Sequence, residues 1–120
     1  MARTTVDKLL LSGSTNGRRI LVAATATPGT LIHTATSASD EVDWVTIYAF
    51  NAHTSDVVLT LEWGGTTDPD DRILETIQTK GGDTLVISGL PLKGGVVVRA
   101  FAGTASKVTI GGFVERAKSE

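Results

Sequence analysis

The sequence predicts an all-β fold, a single-domain β-sandwich of about eight antiparallel strands. Apolar residues recur with period two or in short β-branched runs. Turn sequences such as Asn16-Gly17, Pro28-Gly29 and Gly81-Gly82 interrupt these runs, at a spacing of about 8–12 residues that is typical of sandwiches. A chain of 120 residues without cysteine is long enough to form one core without disulfides or thiolate metal sites.

The turn sequences divide the chain into eight candidate strands. Helical character is confined to residues 4–11 and 115–120, and both segments lack the apolar periodicity of a stable helix. The sequence is therefore divided into an N-terminal arm over 1–17, a sandwich over 18–116 and a short C-terminal tail over 117–120. The candidate strands are 20–26, 30–35, 43–52, 56–63, 72–78, 84–88, 95–101 and 107–114.

The candidate strand over 56–63 alternates in a simple way. Its odd-numbered residues are apolar, whereas Thr60 and Glu62 lie among the even-numbered ones. Because successive side chains of a strand point to opposite faces, one face is predicted to be core and the other mostly solvated.

The candidate strand over 43–52 is apolar on both faces. Trp44, Tyr48 and Phe50 share one face, and aliphatic residues occupy the other. Burial under a loop and contact with another subunit produce the same pattern, so both interpretations remain open. Under the second interpretation, Trp44, Tyr48 and Phe50 form an oligomer contact.

The net charge of −2 is unevenly distributed. Residues 1–20 carry four basic side chains and one acidic one, whereas residues 37–83 carry ten acidic and two basic ones. The isoelectric point is about 5.6 and aromatic residues are few. Nucleic-acid-binding proteins typically have a basic surface and aromatic side chains that stack on bases. The apolar runs are too short for a membrane span or an export signal, so we expect neither a nucleic-acid nor a membrane partner.

The residues that could carry chemistry do not form a recognisable motif. His33 lies within a strand pattern and His53 within a turn pattern, and neither is placed by a catalytic motif. The acidic cluster Asp68-Pro69-Asp70-Asp71 resembles a turn more than a cation loop, because the spacing of an EF-hand is missing. We expect no enzymatic activity and no cofactor or catalytic metal; whether the acidic cluster binds a cation stays open.

Several segments resemble small virion structural proteins of tailed bacteriophages. The resemblance covers residues 11 to 116, and its motifs are structural rather than catalytic. It is carried by LSGSTNGRRI (11–20), VAATATPGTLIHTA (22–35), DEV (40–42), LTLEWGG (59–65), LPLKGG (90–95), VRAFA (98–102) and GGFV (111–114).

The resemblance implies a jelly-roll sandwich that acts as a head decoration, or cement, protein. Such a protein is commonly a homotrimer, lies on the outer capsid surface and bridges major capsid subunits; it would be made in the host cytoplasm. The basic residues of the N-terminal region, Arg3, Lys8, Arg18 and Arg19, are then the candidate capsid contacts. A tail or fibre protein, a carbohydrate-binding sandwich and a small hydrolase remain the alternatives.

Overall fold

The computed structural model describes residues 4–119, which form nine β-strands and no helix. The alternating patterns and the turn sequences account for most of these strands, because each apolar run ends where Gly, Asn or Pro permits the chain to reverse. The strands are β1 (Thr4–Leu10), β2 (Ile20–Val22), β3 (Thr30–Thr34), β4 (Glu41–Asn51), β5 (Val57–Trp63), β6 (Arg72–Ile77), β7 (Thr84–Leu92), β8 (Val97–Ala102) and β9 (Val108–Ser119).

The strands form two antiparallel sheets with jelly-roll connectivity. Sheet A has the order β1-β9-β4-β7, with β2 also paired to β9, and sheet B has the order β3-β8-β5-β6. Strands β2, β3, β4 and β5 pair in turn with β9, β8, β7 and β6. The chain is therefore one long antiparallel hairpin folded over on itself, which is the two-sheet arrangement of a jelly roll. This confirms the predicted all-β sandwich.

The core lies between the inner faces of the two sheets. Val45, Ile47 and Ala49 of β4 are fully buried, and they meet the fully buried Leu59 and Leu61 of β5 in one apolar cluster. Close packing also dictates a glycine in sheet A: a Cβ atom at position 112 would lie 2.1 Å from the carbonyl oxygen of Thr46.

Several strand limits differ from those predicted. The first candidate strand ends at Val22 instead of residue 26, and residues 23–29 form a loop. Strand β7 continues to Leu92, beyond the predicted end at residue 88, because Gly89, with a φ of 62°, allows an irregularity in the ladder rather than a turn.

The two segments with helical character are both strands. Thr4–Leu10 forms β1, which pairs along its whole length with the C-terminal half of β9, from Phe113 to Ser119. The described part of the predicted arm thus includes an edge strand of sheet A, and β9 runs through most of the predicted tail. Cross-strand hydrogen bonding overrides the weak local preference here.

Candidate functional site

The outer face of sheet A carries a continuous set of apolar side chains. The register places Trp44, Tyr48 and Phe50 of β4 on this face, because the alternate residues of the same strand point into the core. Neighbouring strands extend the set: Leu10 lies opposite Phe113, and Leu85 lies opposite Tyr48. We call this surface the aromatic face; its members are Leu10, Leu21, Trp44, Tyr48, Phe50, Leu85 and Phe113.

The aromatic face is open to solvent over much of its area. Trp44 is 42% exposed and Tyr48 is 36% exposed, and Leu10, Leu21 and Leu85 are each about half exposed. Phe50 and Phe113 are half-buried among their neighbours. Of the ten exposed large apolar side chains in the described residues, six lie at outward positions of sheet A, counting Val6 beside this face. A concentration of this kind is typical of interaction surfaces.

This geometry brings the three predicted oligomer-contact residues together. The strand is apolar on both faces because one face is core and the other is the aromatic face, with Trp44 and Tyr48 uncovered. The sequence reasoning missed Leu10, Leu21, Leu85 and Phe113. In the sequence, each of these residues is simply part of a short apolar run. Only the strand pairing shows that their side chains lie on the same outer face as Trp44 and Tyr48.

The predicted capsid-contact residues are not brought together into one patch. Lys8 lies opposite Glu115 near the middle of the β1–β9 ladder, whereas Arg19 immediately precedes β2 at the other end of β9. Arg18 and Arg19 line an open depression of about 520 Å³ with Thr15. Arg3 lies outside the described residues.

An ion pair crosses one end of the aromatic face. The Arg19 guanidinium pairs with the carboxylate of Asp83, which immediately precedes β7. Because β2 and β7 border opposite sides of sheet A, this pair joins the two edges. The Arg19 side chain passes over Gly111, the residue opposite Tyr48, where a Cβ atom would lie 3.6 Å from the guanidinium carbon.

A buried polar cluster fixes one end of the sandwich. The Asp43 carboxylate, completely buried, accepts hydrogen bonds from Arg116 Nε at 2.6 Å and Nη2 at 3.0 Å, and from the Thr36 amide at 3.1 Å. His33 Nε2 lies 2.8 Å from Asp43 Oδ2, and His33 Nδ1 accepts the Ser12 amide N–H at 3.0 Å. Since Nδ1 is an acceptor, Nε2 carries the proton and donates it to Asp43.

The Asp43 charge is stabilised by its partners. Burial raises the pKa of the Asp43 carboxyl, but hydrogen bonds from Arg116 and His33, together with the Arg116 charge, outweigh burial and leave this pKa below its ordinary value. Both ring nitrogens of His33 are engaged and the ring is 1% exposed. This His–Asp pair therefore ties strands together and is not presented to a substrate.

A second buried carboxylate lies on the outer face of sheet B. Glu62 is 1% exposed and accepts hydrogen bonds from the Thr27 hydroxyl at 2.5 Å and the Gly29 amide at 2.6 Å. The loop over 23–29 therefore covers this end of β5. Thr60, also on this face, is 5% exposed. The prediction that this face of β5 is mostly solvated was wrong.

The acidic cluster over 68–71 is organised as a turn. Asp71 Oδ2 accepts the Thr67 amide at 3.0 Å, and Asp68 lies 3.8 Å from the Arg72 guanidinium. No group of three or more His, Asp or Glu side chains with metal-binding geometry is found in residues 4–119. His53 lies in the turn after β4, where its amide donates to Asn51 Oδ1.

No protein-family model, curated protein or solved structure matches the chain. Among the described residues, no helix has the length and apolar character needed to cross a membrane.

Proposed function

We propose that the protein is a non-enzymatic structural protein of a tailed-phage virion, a head decoration protein that binds the outer capsid surface and bridges major capsid subunits. The observation that carries the proposal is the aromatic face, a surface of seven apolar side chains on the outer side of sheet A. The resemblance of residues 11–116 to small phage virion proteins supplies the context.

The composition of the aromatic face supports contact with a protein. Tyr, Trp and Phe are enriched at the centres of protein interfaces, where they bury a large area at low entropic cost. The face lies on the outer surface of a sheet, whereas small-molecule sites are concave. A decoration protein adds contacts between shell subunits, and many copies multiply a weak contact through multivalency.

The basic depression formed by Thr15, Arg18 and Arg19 is the proposed attachment point to the shell. Arg18 is exposed, and its guanidinium can pair with a carboxylate of the capsid surface. Arg19 is engaged with Asp83, so Arg18 is the better residue to test.

Sedimentation with phage heads tests the proposal. Purified protein is mixed with heads of the virus that encodes it, assembled without this protein, and the pellet is quantified. We expect saturable binding, reduced at least tenfold in affinity by Arg18→Glu but little changed by Lys107→Glu, which alters charge equally at another exposed position. Absence of the wild-type protein from the head pellet and from purified virions would overturn the assignment.

Carbohydrate binding is the second candidate function. Trp44 and Tyr48 are exposed on one strand four residues apart, a separation of ~13 Å that two stacked sugar rings could span. The neighbouring Leu10, Leu21 and Leu85 offer no hydrogen bonds to hydroxyl groups, which favours the protein partner. A glycan array probed with the wild type and with Trp44→Ala distinguishes the two functions. Glycan binding by the wild type that is lost in the variant would favour carbohydrate binding.

A further inference from the structure

We propose that His33 is a pH switch, which holds residues 12–13 on strand β3 at neutral pH and releases them on acidification. These two residues, which we call the seam segment, lie in the connection between β1 and β2. The switch is a property of the isolated chain, so it holds or fails independently of attachment to a shell.

Three hydrogen bonds join the seam segment to β3. The Gly13 amide donates to the Ile32 carbonyl at 2.9 Å. Ser12 accepts the Thr34 amide at its Oγ at 2.7 Å and donates its own amide to His33 Nδ1 at 3.0 Å. Because β1 and β2 belong to sheet A and β3 is an edge strand of sheet B, these bonds connect the edges of the two sheets.

The seam segment lies directly against the β3 backbone. A Cβ atom at Gly13 would lie 2.6 Å from the carbonyl oxygen of Ile32, so this contact requires glycine. Leu11, 3% exposed, belongs to the apolar core and anchors the connection on its N-terminal side. Release would therefore free the connection from the seam segment to β2, including Arg18. The consequence for attachment rests on the proposed function, whereas the switch itself does not.

The bond between Ser12 and His33 depends on the charge of the ring. His33 Nδ1 accepts the Ser12 N–H only while the ring is neutral, because a second proton occupies the Nδ1 lone pair and turns this nitrogen into a donor. Two donors then face each other. Since the ring is 1% exposed, water can supply a new acceptor only when the seam segment moves away. The open form thus binds a proton that the closed form excludes, and acidification favours opening.

The other partners of His33 tolerate a charged ring. Nε2 donates to the Asp43 carboxylate whether or not the ring is charged, so this contact persists. On the β8 side, the residue opposite His33 is the uncharged Val98. The charged groups that share the inner face of sheet A with the carboxylate are Asp7, Glu41, Asp43, Arg116 and Lys118. None of them replaces the Ser12 amide at Nδ1, so the seam segment is the part that protonation displaces.

Amide hydrogen exchange of the purified chain, followed by NMR between about pH 8 and 5, tests the switch, because imidazole side chains titrate in this range. After correction for intrinsic exchange, protection of the Gly13 and Thr34 amides should fall about tenfold on acidification. The β4–β9 ladder should keep its protection, since only the seam segment opens.

The second histidine provides a matched control. His33→Asn keeps a side-chain oxygen that can accept the Ser12 amide but does not titrate, so protection of Gly13 and Thr34 should become independent of pH. His53→Asn, the same substitution in the turn after β4, should behave like wild type.

The ¹⁵N chemical shift of His33 Nδ1 in the wild-type chain keeps the test valid if the His33 variant does not fold. This shift should change with the same pH midpoint as the exchange. Constant protection of Gly13 from pH 8 to 5 would overturn the switch, as would a protonated Nδ1 beside a protected Gly13. So would a loss that persists in His33→Asn, or one that includes the β4–β9 ladder.

Discussion

The outer faces of the two sheets differ in what they expose to solvent. We expect the outer face of sheet B to contribute to folding stability and that of sheet A to contribute to association. On sheet B, the chain covers itself: the loop over 23–29 reaches across β5 and buries the Glu62 carboxylate. On sheet A, the aromatic face stays uncovered, with Trp44 and Tyr48 exposed. The outer face of sheet B therefore buries polar groups, whereas the outer face of sheet A exposes apolar ones. Substitutions of the enclosed groups should affect folding, and substitutions of the exposed ones should affect binding.

The largest expected effect is that of Asp43→Asn. The substitution removes a charge that Arg116, His33 and Thr36 all contact, and breaking a buried pair of this kind costs about 3 kcal/mol. Urea denaturation at neutral pH measures the loss. The control Asp70→Asn changes the same charge in an exposed turn and should lie within about 0.5 kcal/mol of wild type.

The same carboxylate predicts the direction of the pH dependence. Because the pKa of Asp43 is lower in the folded state than its ordinary value, its stabilising contribution is complete above the ordinary carboxyl pKa. The contribution is lost as the pH falls through the folded-state pKa. The difference in unfolding free energy between wild type and Asp43→Asn should therefore shrink on acidification; a difference that grows towards low pH would contradict the assignment.

Glu62→Ala should have the next largest effect. It leaves the buried Gly29 amide without its acceptor and frees the loop over 23–29 from β5, at a cost of about 2 kcal/mol. Glu75→Ala, at an exposed position of the edge strand β6, is the control and should be nearly neutral. If the loop is held by Glu62, amide hydrogen exchange at Gly29 should accelerate in the first variant only.

Thr27→Val tests one hydrogen bond of the same contact. The variant keeps the β-branched shape but removes the hydroxyl that donates to Glu62 at 2.5 Å. Because Glu62 keeps the Gly29 amide as a donor, we expect a loss of about 1 kcal/mol. Thermal unfolding measures it, and a loss as large as that of Glu62→Ala would show that the hydroxyl alone holds the loop.

Tyr48→Ser should have the smallest effect on the folding of the isolated chain. The side chain is partly exposed and points away from the core, so the expected loss is about 0.5 kcal/mol. Unfolding should be measured at low protein concentration, because any self-association would itself stabilise the folded state. A loss of several kcal/mol in the monomer would mean that the aromatic face belongs to the folding core.

The sequence predicted the sandwich because alternation and turn residues are local signals. Trp44, Tyr48 and Phe50 could be chosen for the same reason, since one strand contains all three. Leu10, Leu21 and Leu85 could not, because they join the face only through the pairing of β1, β2 and β7 with their neighbours. The burial of Glu62 was likewise hidden, since its partners lie more than thirty residues away in a loop.

The pairing of β1 with β9 also determines how the fold bears mechanical load. Thr4 lies directly opposite Ser119, so the two ends of the described chain leave the sandwich at the same corner, on adjacent antiparallel strands. Tension applied between these ends breaks the hydrogen bonds between β1 and β9 one pair at a time, starting at Thr4 and Ser119. Strand β1 lies at the edge of sheet A, whereas β9 is also paired with β4 from Lys118 onward, so β1 is the strand that detaches first.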